Sequence, residues 1–171
     1  STKNPRHGLA IQELRILVKA LKKEGVIVGV HCCSDTDWDA VLSSGFDIIS
    51  LDTGLSLKKF LGLPGRNADR SKALVQFLKN GKLSLGVIST AKTSHEFREM
   101  DLNLLYKELK DTLLQGFDGN QETVKQILGT SLYTPACGLA LLSIADSEII
   151  LSNLQEFHKI VQSAARADLL E

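Results

Sequence analysis

Val26-Ile27-Val28-Gly29-Val30-His31 is nearly all apolar, rich in β-branched residues and too short for a helix, with Glu24-Gly25 breaking the chain just before it. A run of this kind predicts a strand buried on both faces, as parallel sheets require. Upstream, Leu9, Ile11, Leu14, Leu17, Val18 and Leu21 fall at helical spacing, which predicts a helix from Leu9 to Lys23. Downstream the alternation continues. A helix near Asp37 to Ser43 leads to a strand Phe46 to Leu51, then to helical segments around Leu57 to Leu61 and Ala68 to Lys79, parted by Pro64-Gly65. A third strand, Lys82 to Ser89, precedes helices near Leu102 to Gln115 and Gln121 to Leu128. A fourth, Ser131 to Thr134, precedes a closing helix from Asp146 to Ala167.

Strands alternating with helices specify an α/β fold with four parallel strands, because each crossover helix returns the chain in the same direction. Periodicity leaves open sheet and barrel undecided. No Gly-x-Gly-x-x-Gly and no Gly-x-x-x-x-Gly-Lys follows any strand, which argues against nucleotide binding. With 171 residues, 43% of them hydrophobic, and no long linker or internal repeat beyond the βα alternation, residues 1–171 read as a single domain. Twenty basic and twenty acidic residues cancel, without runs of like charge, so neither a nucleic-acid footprint nor a membrane-surface patch is implied. A small-molecule partner is the expectation.

Cys32, Cys33 and Cys137 are an odd number, and two are adjacent in a strand, a poor basis for structural disulfides. A reducing compartment follows. The polar start Ser1-Thr2-Lys3-Asn4-Pro5 and the lack of an apolar stretch near the roughly 18 residues of a membrane span make the cytoplasm the expected location.

His31 and Cys33 end the first strand two residues apart, hence on one face, while Cys32 points the other way. Cys137 follows the fourth strand and Asp52 the second. Strand ends thus bring an imidazole, thiols and a carboxylate to the rim where parallel α/β folds place their sites. Soft thiolates and an imidazole suit zinc, with Asp52 as an exchangeable ligand. Free cysteine is also among the most buried residue types, so packing alone is the competing account.

Val30-His31-Cys32-Cys33, Phe46-Asp47-Ile48-Ile49-Ser50-Leu51-Asp52-Thr53 and Thr134-Pro135-Ala136-Cys137-Gly138-Leu139 resemble, in order and approximate spacing, three signatures of the catalytic domain of cobalamin-independent methionine synthases. The likeness runs from about Leu9 to the C-terminus. It implies a zinc centre held by His31, Cys33, Asp52 and Cys137 that activates a thiol such as homocysteine, with methylfolate or a methylcorrinoid protein as methyl donor. It further implies the C-terminal half of a TIM-type (β/α)8 barrel. Asp52 stands where the family has Glu, and Ser89-Thr90-Ala91-Lys92 stands where it has a histidine proposed as proton donor, with His95 nearby at a polar helix start.

A lone half-barrel leaves strand edges unpaired and, on this expectation, an apolar face uncovered, so a complementary half or an identical chain should close it. Two rivals stand beside the methyltransferase: a metal-free binding or assembly module, and a decarboxylase-like barrel that binds a tetrapyrrole. Other residues take plainer readings. Ser34-x-x-Asp37 resembles a helix-capping arrangement that accounts for Asp35, Asp37 and Trp38; Gly138 serves a tight turn; Tyr133 packs or hydrogen-bonds; Lys92 is solvated.

Overall fold

The computed structural model describes residues 5–34, 36–63, 65 and 68–167. Ser1 to Asn4, Asp35 and Pro64, each given a reading above, lie outside the described residues. The elements run α1 (Pro5–Lys23), β1 (Gly29–Cys32), α2 (Trp38–Leu42), β2 (Ile48–Asp52), α3 (Thr53–Phe60), α4 (Ala68–Leu78), β3 (Lys82–Ile88), α5 (Ser94–Arg98), α6 (Leu102–Gly116), α7 (Gln121–Thr130), β4 (Leu132–Pro135) and α8 (Ile144–Ala167). Short polar side chains start several helices: Asp37, Asp52, Thr93, Asp101 and Asn120 each accept a backbone N–H of the first turn, which would otherwise lack a partner. No helix among the described residues is long and apolar enough to cross a membrane.

All the strand pairs are parallel, and their order in the sheet is β1-β2-β3-β4. A sequential order matters, because crossovers of one hand then stack the helices on one face and leave the other open. It is consistent with half a barrel and lacks the order reversal of doubly wound sheets. Register separates the two faces. Val30, Ile49 and Leu83 align in one row and Cys32, Leu51, Leu85 and Tyr133 in another, both turned toward the helices. Ile49, Leu51 and Leu85 are wholly inaccessible to solvent. Over β4 the helical cover is α8, whose Ile150, Leu154, Phe157 and Val161 recur at helical spacing and are buried. Phe157 meets Tyr133 edge-on, ring centroids 5.3 Å apart, and burial of such a side chain contributes roughly 1.5–3 kcal/mol.

The first strand departs from expectation. It begins at Gly29 rather than Val26, and Val26 and Ile27 are exposed rather than buried. Among the described residues β1 pairs with β2 alone, and Gly29 and His31 on its second face are exposed, so two-sided burial is not available to it. Its entry is still held: the Val28 carbonyl accepts from the backbone N–H groups of Asp47 and Ile48, and the Val28 N–H donates to Asp47 Oδ2 at 3.0 Å. The face turned away from the helices is another correction. It carries Gly29, His31, Ser50, Asp52, Lys82, Ser84, Gly86 and Thr134, with Ile48 and Leu132 as its aliphatic members, and is therefore largely polar rather than apolar.

Candidate metal centre

Alternation along β1 turns His31 and Cys33 to the open face and Cys32 toward the core, against which it packs half-buried. Cys137 comes to the same place from β4, and Gly86 permits it. A Cβ on Gly86 would lie 2.7 Å from Ala136 Cα and 3.0 Å from the Leu51 carbonyl, so only glycine lets the end of β4 approach this closely. The ladder is irregular at this point, between Gly86 and Ile88. Ala136 N–H donates to the Ile88 carbonyl at 2.8 Å, and Thr53 Oγ1 donates to the Gly86 carbonyl at 3.0 Å.

These paths converge: ligand atoms of His31, Cys33 and Cys137 all lie within 4.8 Å of one another. His31 is exposed, both cysteines are half-buried, and none of the three cysteines is in a disulfide. A tetrahedral ion with Zn–S about 2.3 Å and Zn–N about 2.0 Å holds its ligand atoms roughly 3.5–3.8 Å apart, so closing this cluster on an ion needs side-chain shifts of about 1 Å or less. The donor set, one imidazole and two sulfurs with a position left over, fits zinc. Burial, the thiol hydrogen bond with Cys33, and the neighbouring Cys33 and Asp52 charges push the Cys137 thiol up from its ordinary range. A cation reverses that preference, because it compensates the crowded negative charge.

Asp52 is close enough to influence Cys137 yet stands outside the three-residue cluster. It is buried, and its Oδ1 caps α3 by accepting the Leu55 N–H at 3.0 Å. The same residue borders a cleft of about 520 Å³ whose lining includes Lys92 and His95. His95 sits in the first turn of α5, a short helix whose capping box of Thr93 and Glu96 is legible in the sequence as Thr-x-x-Glu. Hydrogen bonds from the Thr93 backbone N–H and hydroxyl hold the Glu96 carboxylate below its usual range.

Tyr133 donates to the Leu128 carbonyl at 2.6 Å, and burial raises its hydroxyl well above the ordinary phenol range. Asp37 caps α2 through Ala40 N–H, three residues later than a cap at Ser34. Trp38 is buried against Phe60, ring centroids 5.1 Å apart. Gly138 has neither a left-handed φ nor any atom within 4 Å of a Cβ position, so nothing in the structure requires glycine there. Ser50 was overlooked: it faces His31 across the ladder, with His31 Nδ1 2.9 Å from Ser50 Oγ. Its place two residues before Asp52 put it on the site-bearing face, but its pairing with His31 depends on register, which a single sequence does not carry.

No family model matches the chain, and neither does any curated protein or solved structure. The likeness to methionine synthases is therefore carried by the three motifs alone.

Proposed function

We propose that this chain is the metal-bearing part of a zinc-dependent thiol methyltransferase. The observation that carries the reading is the convergence of His31, Cys33 and Cys137, from the ends of β1 and β4, within 4.8 Å. The motif resemblance supplies the reaction: methyl transfer to a thiol such as homocysteine, from methylfolate or a methylcorrinoid protein.

In this reading His31, Cys33 and Cys137 hold the ion and leave a position for substrate. When bound, zinc supplies the charge that keeps a thiol deprotonated at neutral pH. Asp52 is the exchangeable fourth ligand, and Oδ2 is the oxygen available for it, since Oδ1 is engaged with α3. The cleft beside Asp52, whose wall carries Glu96, Glu99, Asp101 and Glu108 as well as Lys92 and His95, is where the polar remainder of a substrate is accommodated. Among the described residues β1 and β4 each have one unpaired edge, and a complementary (β/α)4 half or a second copy of this chain completes a TIM-type barrel around the site. Three free thiols fit the cytoplasm.

Metal analysis of the full chain purified without chelator tests this. About one zinc per chain is expected, removable by chelator and restored by added Zn2+. Absence of zinc after such loading overturns the proposal in favour of a metal-free assembly module, the reading that the capping role of Asp52 favours.

A further inference from the structure

We propose that Ser50 is a positioning residue of this centre: its hydroxyl oxygen accepts the Nδ1–H of His31 and so presents Nε2, lone pair outward, to the ion. The assignment rests on the zinc reading above and deepens it.

The sheet sets up the pair before any metal arrives. His31 and Ser50 are register partners on adjacent parallel strands, so their side chains leave the same face side by side. His31 Nδ1 stands 2.9 Å from Ser50 Oγ, an ordinary hydrogen-bond distance. An imidazole has one nitrogen for a metal and one for a neighbour, and the hydrogen bond made by one nitrogen decides which is protonated. With the metal on Nε2, Nδ1 must carry the proton, and the serine oxygen must accept it. Free in water, a neutral histidine favours the opposite tautomer, with the proton on the nitrogen needed here as ligand.

His31 is exposed, so packing does little to hold its ring, and Ser50 is the partner its Nδ1 meets. The next hydroxyl in the row, Ser84, lies 3.5 Å from Thr134 Oγ1, and Asp52 Oδ1 is taken by the start of α3. Serine suits the task because its short side chain has a single rotatable bond to fix.

The test uses the full chain, Ser50→Ala, and the pair Ser50→Thr and Ser50→Val, which differ in the hydroxyl at nearly constant shape. Long-range 1H–15N NMR of the metal-free proteins, with His31→Gln assigning the signals, reads the tautomer. The Nδ1–H form is expected in the wild type and Ser50→Thr and is lost in Ser50→Ala and Ser50→Val. Competition against a chromophoric chelator reads Zn2+ affinity. Ser50→Ala and Ser50→Val should bind roughly 10–100-fold more weakly, and Ser50→Thr within a few-fold of wild type. A wild-type chain that takes up no zinc sinks the metal reading before any variant is compared. If the wild type binds zinc but the hydroxyl-free variants keep its affinity or its tautomer, the assignment of Ser50 alone is overturned.

Discussion

Neighbouring residues of β2 and β3 have opposite employments. On the helix side Ile49, Leu51, Leu83 and Leu85 are sealed under the helical layer, while one position away Ser50, Asp52, Ser84 and Gly86 face the other way, Asp52 and Ser84 buried there as well. The first set contributes the apolar burial that holds the sheet to its helices; the second contributes hydroxyls, a carboxylate and a gap for the backbone. Because successive side chains on a strand alternate faces, stability and site chemistry are written on interleaved residues, and substitution should separate them.

The largest separation is expected at adjacent positions of β3. Leu85→Ala should lower unfolding free energy by about 2–5 kcal/mol, since it empties a wholly buried site, whereas Ser84→Ala should change it by less than about 1 kcal/mol. Chemical denaturation of both variants measures this. Equal losses would mean that the open face is packed as tightly as the core.

The Cys32-Cys33 pair sharpens the contrast. Cys33→Ser and Cys137→Ser should weaken Zn2+ binding by more than the roughly 10–100-fold that an outer partner costs, as read by chelator competition. Cys32→Ser should leave zinc binding intact and cost roughly 1 kcal/mol of stability, because it places a hydroxyl against the core. Loss of zinc in all three variants would refute the assignment of faces.

Gly86 is where the two employments meet. Gly86→Ala should cost about 1–3 kcal/mol, because the new methyl collides with backbone rather than with a movable side chain. It should also reduce zinc uptake by displacing the segment that carries Cys137. A variant that is destabilised yet binds zinc normally would show that the close approach of β4 serves packing alone.

This division explains what the sequence disclosed. Apolar runs and helical spacing located every strand of the sheet, and the two-residue spacing of His31 and Cys33 put them on one face, because those signals are local. Burial of Val26 and Ile27 was misjudged because an apolar run does not say whether a neighbouring strand or helix covers it. The polar character of the open face was missed for the same reason: Ser50, Ser84 and Thr134 lie far apart in sequence, and register alone assembles them. Cys137 could be placed after a strand, but its meeting with Cys33 depends on Gly86, whose role is visible only once Ala136 lies against it.

The smallest effect is expected at the end of β2 away from the site. Asp47 accepts from Lys22 Nζ at 2.6 Å and from the Val28 N–H at 3.0 Å, tying α1 and the entry of β1 to β2. These partners hold its carboxyl below the usual carboxylate range, the Lys22 hydrogen bond contributing most. A carboxyl that ionises more readily in the folded chain than in the unfolded one adds stability above its unfolded pKa and loses it as pH falls through the folded value. The contribution is therefore present at neutral pH and disappears in the acid range below about pH 4. The ion pair is partly exposed and screened, so its size should be a few tenths of a kcal/mol. Asp47→Asn should flatten the acid limb of a stability-against-pH curve by that amount and leave zinc affinity at pH 7 unchanged. Were zinc affinity to fall as well, the entry of β1 would be coupled to its far end, and the open face would depend on the same ties that hold the fold together.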